Sequence, residues 1–269
     1  MLKGLYITDA NNQTIPSDAI NLVNNTELDL REVDGLGRPD AEMYTQEKIA
    51  VDASFYSGQT VKSRTITLSV KTKNDLYRMV LYRMLGYNDK RRIFVETDAG
   101  VYWIDGYVKG ATYAAKPAVR QEVEISIFCP YPWFRSQKMN KVPIALNGQY
   151  NSAGMLSNVG DVPAGIQLWY PAGYADTITS IRCSNGAGTL EFSAEIRVES
   201  LSKDTLLIDT TPGDYYIRDD VHGISIENVK IYGYLPTINP SALPVEVRTV
   251  GASTTGYIGW YDTDRKSVV

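Results

Sequence analysis

Few residues of this sequence have types that could do chemistry. The single histidine, His222, follows Asp219 and Asp220 in the run D-D-V-H-G, and a carboxylate beside an imidazole is the start of a general-base arrangement. A triad also needs a nucleophile on a strained turn, and no G-x-S-x-G occurs. The run reads instead as a hairpin turn. Glu122 with Glu124, and Glu191 with Glu195, could act as the two carboxyl groups of a glycosidase. Both pairs sit on the polar side of alternating segments, which turns them to solvent on a half-buried sheet. The run D-T-D-R at 262–265 has too few oxygen ligands for a calcium loop, and no glycine or glutamate at the required spacing. Cys129 and Cys183 form no C-x-x-C motif, and one histidine cannot complete a zinc set. Both thiols are expected to be buried and apolar in behaviour. No phosphate-binding glycine motif is present. The expectation is a protein with no catalytic residues, no metal and no cofactor.

The elements that would have to position any site are mostly strands. In V-K-S-R-T-I-T-L-S-V, Ile66, Leu68 and Val70 share one face, while Ser63, Thr65, Thr67 and Ser69 share the other. Q-E-V-E-I-S-I-F puts Val123, Ile125 and Ile127 on one side, and Cys129 continues it. L-E-F-S-A-E-I-R-V at 190–198 and L-P-V-E-V-R-T at 243–249 repeat the alternation. Period two of this kind marks antiparallel sheet with one face buried. One segment departs from it: L-Y-R-M-V-L-Y-R-M-L-G-Y places Leu76, Met79, Val80 and Met84 at helical spacing. With Asn74 or Thr72 as N-cap and Gly86 as stop, it predicts a helix over about 74–86.

The strand at 121–128 runs into C-P-Y-P-W-F at 129–134. Pro130 and Pro132 remove two backbone donors and end the ladder. Cys129, Tyr131, Trp133 and Phe134 are then expected to form a stiff joint between two domains, 1–135 and 136–269. Two stretches, 33–48 and 144–165, read as long irregular loops rich in glycine and polar residues. In the first, Arg38, Asp40, Glu42 and Lys48 supply charges that could set the register of a contact with another ring or subunit. No repeat with a period of about 20–50 residues is present, which excludes a solenoid or propeller.

Length and charge narrow the function further. At 269 residues with 43% hydrophobic and 22% charged residues, the chain has ordinary globular composition. Its net charge of −4 and lack of a long basic run argue against specific nucleic-acid binding. The N-terminus does not read as a signal peptide, and no apolar run has the length of a membrane span, so a soluble protein made in the cytoplasm is expected. There are 19 tyrosines against five phenylalanines, and those in the second half gather late in the chain. Tyr257, Trp260 and Tyr261 are the candidate ligand face there.

Taken in order, these segments resemble a known family. The strand ending in I-S-I-F-C-P-Y-P-W-F at 125–134, then N-V-G-D-V-P-A-G-I-Q-L at 158–168, then D-T-L-L-I-D-T at 204–210 are similar to motifs of the distal tail proteins of long-tailed phages. The resemblance covers nearly the whole chain. It departs where that family often has a Pro-Gly-x-Asn turn and this chain has L-P-T-I-N-P-S-A-L-P-V at 235–245.

The resemblance implies a mainly β protein. Its first domain would be a tail-tube-like β-barrel or split sandwich with one flanking helix, and its second a galectin-like antiparallel β-sandwich. It implies a homo-hexameric ring at the phage tail tip, joining the tail tube protein to the tail-associated hub protein. Receptor-binding or other baseplate proteins would be held on the outer domains, in a virion assembled in the host bacterial cytoplasm. Strands around 50–71 and 101–128 would build the ring. The alternative is a carbohydrate-binding module that recognises the host surface directly, since a galectin-like fold does not by itself bring a sugar site. Arg78, Arg83, Lys90, Arg91 and Arg92 form a basic neighbourhood near the helix, read either as a solvated face or as a partner for acidic residues of an adjoining subunit.

Overall fold

The computed structural model describes residues 1–47, 54–86, 89–113, 121–160, 162–170, 177–184, 190–198, 206–211, 215–219, 229–233, 237–238, 243–250 and 254–264. The chain divides into two compact units, Met1–Gln137 with Arg265–Val269, and Lys138–Asp264. The division falls between Gln137 and Lys138, inside a strand, and not at the proline pair.

The first unit is built from β1 (Leu2–Asp9), β2 (Leu28–Asp34), β3 (Ala41–Glu47), β4 (Ser54–Val61), β5 (Arg64–Thr72), α1 (Asp75–Leu85), β6 (Lys90–Thr97), β7 (Gly100–Tyr113), β8 (Gln121–Cys129) and the start of β9 (Phe134–Leu146). The strands β2, β5, β8, β7, β6 and β1 are neighbours in that order, all antiparallel. Alternation sets the register of the central pair. Ile66 faces Ile127, Leu68 faces Ile125 and Val70 faces Val123, and all six are fully buried. A one-residue slip would turn each of them to the other face.

The sheet's two end strands, β1 and β2, are bridged by a segment with no strand of its own. Leu22 donates from its backbone N to Leu5 O at 2.9 Å and accepts from Leu30 N at 3.2 Å. The Asn21 carboxamide accepts from Leu5 N at 3.1 Å and Val23 N at 2.9 Å, and donates to Lys3 O. One side chain thus stands in for a missing strand along β1, and buried Leu22 completes the core beneath it. That removes much of the open edge a flat sheet would present.

The helix forms where expected, with Asn74 accepting from Tyr77 N at the N-cap and Gly86 (φ 64°) at the C-cap. Its buried residues are Leu81 and Leu85. Of the four residues at helical spacing, Leu76 is 64% and Met79 51% exposed, while Val80 and Met84 are partly buried against the core. The inner stripe runs one residue further along, because Tyr77 and Leu81 bring Leu85 over the sheet.

The two stretches read as irregular loops contain strands. After Gly35 (φ 82°) the chain enters β3, which pairs only with β4 among the described residues, as a two-stranded sheet. Gly35 is required here, since a Cβ would lie 2.2 Å from Thr65 O. The second stretch holds the end of β9, then β10 (Asn151–Leu156), β11 (Ala164–Gly165) and a bulge near Gly154 (φ 85°). Glycine in both stretches, and asparagine in the second, serve turns and a bulge within sheets rather than length of loop.

In the second unit, β12 (Gln167–Tyr170), β13 (Thr177–Ser184), β14 (Leu190–Val198), β15 (Leu206–Asp209), β16 (Tyr216–Asp219), β17 (Val229–Gly233), β18 (Thr237–Ile238), β19 (Leu243–Val250) and β20 (Thr254–Asp264) complete the chain. One sheet runs β16–β15–β12–β20–β9 and the other β10–β19–β13–β14–β17, with β11 and β18 as a short separate pair. Ile144, Leu146, Leu168, Ile208, Ile258 and Trp260 from the first sheet meet Ala153, Leu156, Val245 and Val247 from the second in one buried core. This is a two-sheet antiparallel sandwich. The N-V-G-D-V run is held to β20 by Asn158, whose Oδ1 accepts from Gly160 N and Thr263 N and whose Nδ2 donates to Val162 O. In the D-T-L-L-I-D-T run, Asp209 accepts from Thr211 N and Gln167 Nε2. Most of the departure at 235–245 lies outside the described residues.

Asn21→Ala removes one acceptor used twice and one donor while leaving Leu22 in place. It should lower the stability of the chain in urea unfolding by about 1–3 kcal/mol, the cost of leaving buried backbone donors unmatched. Leu22→Ala should cost more, about 2–5 kcal/mol.

Candidate functional site

C-P-Y-P-W-F interrupts pairing within the first unit without turning the chain back, since β8 and the start of β9 both run antiparallel to β7. Cys129 closes β8 and Phe134 opens β9, and both side chains are fully buried in the first core. Pro130 is exposed and Pro132 buried, Trp133 is half-buried, and Tyr131 is buried. The prolines end one ladder and deliver the chain to the next, where Trp103 pairs with Arg135 and Tyr102 with Ser136.

Tyr131 of this stretch starts a column of contacts on the face of the sheet opposite the core. Arg135 places its guanidinium over both the Tyr131 ring, at 4.8 Å, and the Trp103 ring, at 4.6 Å. Trp103 donates from Nε1 to Ser136 O at 3.0 Å, and Arg92 lies 3.7 Å above its ring. Arg92 in turn makes a bidentate pair with Asp105, at 2.7 and 3.0 Å, and donates from Nη1 to Asn12 O. Lys90 approaches the same carboxylate at 3.6 Å. Strand register explains the sequence of contacts: Phe94 faces Trp103, Arg92 faces Asp105 and Lys90 faces Tyr107 along β6 and β7.

The column surfaces at its far end. Tyr107 lies opposite Phe128 on β8, and the two are 42% and 38% exposed. Neighbouring outward positions are polar, with Thr65, Glu124 and Ser126 among them. A pair of exposed aromatics on a rigid, otherwise polar sheet is a plausible site of contact with another chain. Sequence alternation places Phe128 on the polar side of its strand, but only the register of β7 shows that Tyr107 stands beside it.

The basic neighbourhood makes contacts within its own unit. Arg91 donates from Nε to Leu85 O at 2.9 Å, satisfying a carbonyl at the helix end, and pairs with Asp89 and Asp9. Gly86 is needed beside it, since a Cβ would collide with the Arg91 guanidinium. Arg92 is buried against Asp105. Arg78 pairs with Asp75, and Arg83 is exposed.

A second buried arginine braces the base of the β3–β4 hairpin. Arg64 donates from Nη1 to Gly35 O at 2.9 Å and lies 4.7 Å over the Phe134 ring. Among the described residues its Nε and Nη2 have no hydrogen-bond partner, and burial lowers its pKa to about 10. Cys129 faces it in the register, and burial pushes that thiol up to about 12 despite the nearby guanidinium. Of the four charges assigned to a contact loop, Arg38 and Asp40 are exposed between β2 and β3, and Glu42 pairs with Lys62 at 3.4 Å across the hairpin. Lys48 lies outside the described residues.

The proposed ligand face does not come together. Along β20, Tyr257 points outward and is 39% exposed, whereas Trp260 points into the sandwich core and donates from Nε1 to Ser157 O. Tyr261 shares the outward side of the strand but is buried. Strand alternation alone separates Trp260 from the two tyrosines. The aromatic beside Tyr257 is Trp169, its neighbour in the β12–β20 register, and Lys141 on β9 reaches both rings. The signal for Trp169 was its place in Q-L-W-Y, but nothing local in sequence indicates which strand lies next to it. The side chain of Glu122 accepts from Ser69, and the side chains of Glu191 and Glu195 lie outside the described residues, as do Asp220 and His222. Among the described residues, no three His, Cys, Asp or Glu side chains gather as a metal site. No described helix is long and apolar enough to cross a membrane.

Two experiments test this arrangement. Arg92→Met leaves Asp105 buried without its partner and should cost about 3–5 kcal/mol in unfolding, with a large part recovered in Arg92→Met/Asp105→Leu. The raised Cys129 pKa means the folded thiol stays neutral while that of the unfolded chain ionises near 9. Its contribution to stability is intact below about pH 9 and is lost as pH rises towards 12. In a Cys183→Ser chain at pH 8, a thiol reagent should therefore leave Cys129 unmodified until denaturant is added.

No protein-family profile matches the chain, and no curated protein sequence is similar to it. Its structure is similar to the crystal structure of the SPP1 Dit protein, described as a paradigm of the hub adsorption apparatus in phages infecting Gram-positive bacteria. That match has a TM-score of 0.57 and 12% identity, over 97% of this chain and 99% of the other. Two structures of the phage P2 baseplate in its activated conformation, with Ca and with Sr, are similar at TM-scores of 0.55 and 0.54. Both are 9% identical, and they cover 96% and 95% of this chain and 98% and 97% of theirs. The likeness is one of fold, and it extends through both units: this chain has the mainly β fold of phage distal tail (Dit) and baseplate proteins.

Proposed function

We propose that the chain is a non-catalytic structural subunit of the tail tip of a long-tailed phage. In this reading six copies close into a ring that connects the tail tube protein to the tail-associated hub protein. The sandwich unit of each copy holds receptor-binding or other baseplate proteins. The observation that carries it is the end-to-end fold likeness to a phage hub protein, over 97% of this chain and 99% of that one.

Features of the first unit support assembly. A closed ring of identical subunits needs two different patches on each copy, one for each neighbour. Tyr107 with Phe128 supplies an exposed aromatic patch, on the same face of β7 as the Arg92–Asp105 pair. The β3–β4 hairpin supplies the other kind of surface, since a two-stranded sheet is marginal by itself in water and has backbone groups to offer along its edges. Arg38 and Asp40, exposed at its base, can set its register against a neighbouring ring.

Phe128→Glu tests the assembly directly, because Phe128 is exposed and its loss should leave the fold intact. Native mass measurement of the unaltered chain at high concentration should show hexamers, and the variant should remain monomeric with an unchanged melting transition. Hexamers of undiminished abundance in the variant would remove the patch from the interface, and a chain that stays monomeric at every concentration would argue against self-assembly of the ring.

A further inference from the structure

The outward face of the β12–β20–β9 sheet carries an aromatic shelf with an ammonium group resting on it. Trp169 on β12 faces Tyr257 on β20 in the register, and Gly259 follows on the same side of β20. A Cβ at Gly259 would lie 2.7 Å from Trp169 Cζ3, 2.9 Å from Cη2 and 3.0 Å from Met139 Sδ. The missing side chain lets the indole lie down across β20 and reach Met139 on β9. Lys141, one position further out on the same face of β9, brings Nζ to 5.0 Å from the Trp169 ring centroid and 4.3 Å from that of Tyr257. Lys141 is exposed, Tyr257 is exposed and Trp169 half-buried.

We infer that this shelf binds a negatively charged sugar. A pyranose ring has one broad face of C–H groups and a rim of polar groups, so it packs on flat aromatic surface while keeping its hydroxyls wet. Tyr257 and Trp169 offer that surface side by side, and such sites pair aromatic walls with a few placed polar groups. Lys141 supplies the selectivity. Among the described residues its ammonium has no carboxylate partner, and contact with two rings leaves at least one of its three N–H donors for a ligand. A carboxylate or phosphate on the sugar can take those donors as charge-assisted hydrogen bonds. The chain's net charge of −4 repels anions at long range, so the selection must come from this local group. The site stands independently of ring formation, since every residue in it belongs to one copy and one unit.

The test is calorimetric titration of the full-length chain at low ionic strength with four probes. Hexagalacturonate carries carboxylates on sugar rings, phosphorylated maltohexaose carries phosphate, maltohexaose carries neither, and tripolyphosphate has charge without a ring. At least one of the charged sugars should bind about tenfold or more tighter than maltohexaose, a ratio within reach of one charge-assisted contact. Lys141→Met should erase that ratio while sparing the weak binding of the neutral sugar, and Tyr257→Ala should weaken both. Both altered residues are exposed, and unchanged circular dichroism would show that each variant is folded. The inference is overturned if neither charged sugar binds, if maltohexaose binds as well as they do, if tripolyphosphate binds as tightly as the sugars, or if Lys141→Met changes nothing.

Discussion

The first unit depends on the register between β5 and β8. Three apolar pairs, Ile66 with Ile127, Leu68 with Ile125 and Val70 with Val123, lock the two strands at the centre of the sheet. Because side chains alternate strictly, this register also decides what faces outward: Thr65, Thr67 and Ser69 on β5, and Glu124, Ser126 and Phe128 on β8. It sets Arg64 opposite Cys129, where the arginine can reach back to Gly35 at the base of the hairpin. Through β8 it fixes β7, and with it the position of Tyr107, Asp105 and Trp103. Burial of the six apolar side chains contributes on the order of 10 kcal/mol before entropy is counted, at about 1.5–3 kcal/mol each. No single polar contact in the unit approaches that.

The polar contacts act on top of it as constraints of direction. Arg92, Asp105, Trp103, Arg135 and Tyr131 form a chain of contacts in which each group limits its neighbour's rotamer. A buried ion pair is weak evidence for stability, since desolvation offsets most of its attraction. Its effect here is to fix the direction of the side chains it joins, Arg92 over Trp103 and Asp105 beneath Arg92. The second unit uses a different device for the same end: the absence of a side chain at Gly259 lets an indole lie flat where it would otherwise stand up.

Strands and helix were legible in the sequence because they rest on local rules. Alternation found β5, β8, β14 and β19, and Asn74 and Gly86 bracketed α1. What could not be read was set by pairing between distant segments. The stretch at 33–48 looked like loop because its glycines and charges suit turns, yet seven of its residues form β3 against β4. The buried Leu81 and Leu85 of α1 were not singled out, because helical spacing gives a stripe without saying which way it points. Trp260 was grouped with Tyr257 by closeness in sequence, although one residue of offset in a strand changes the face. Trp169 and Lys141 escaped notice because Tyr257 meets them only through the β12–β20–β9 order. The fold class needs only the first kind of information, and the sites need the second.

If this fold serves as a ring subunit as proposed, the Tyr107–Phe128 patch is turned towards a neighbouring copy. Electron cryomicroscopy of the assembled full-length chain tests it most directly. The account predicts a closed six-fold ring with Tyr107 and Phe128 buried between adjacent copies. Particles that are single chains, or a ring in which both aromatics face solvent, would contradict it.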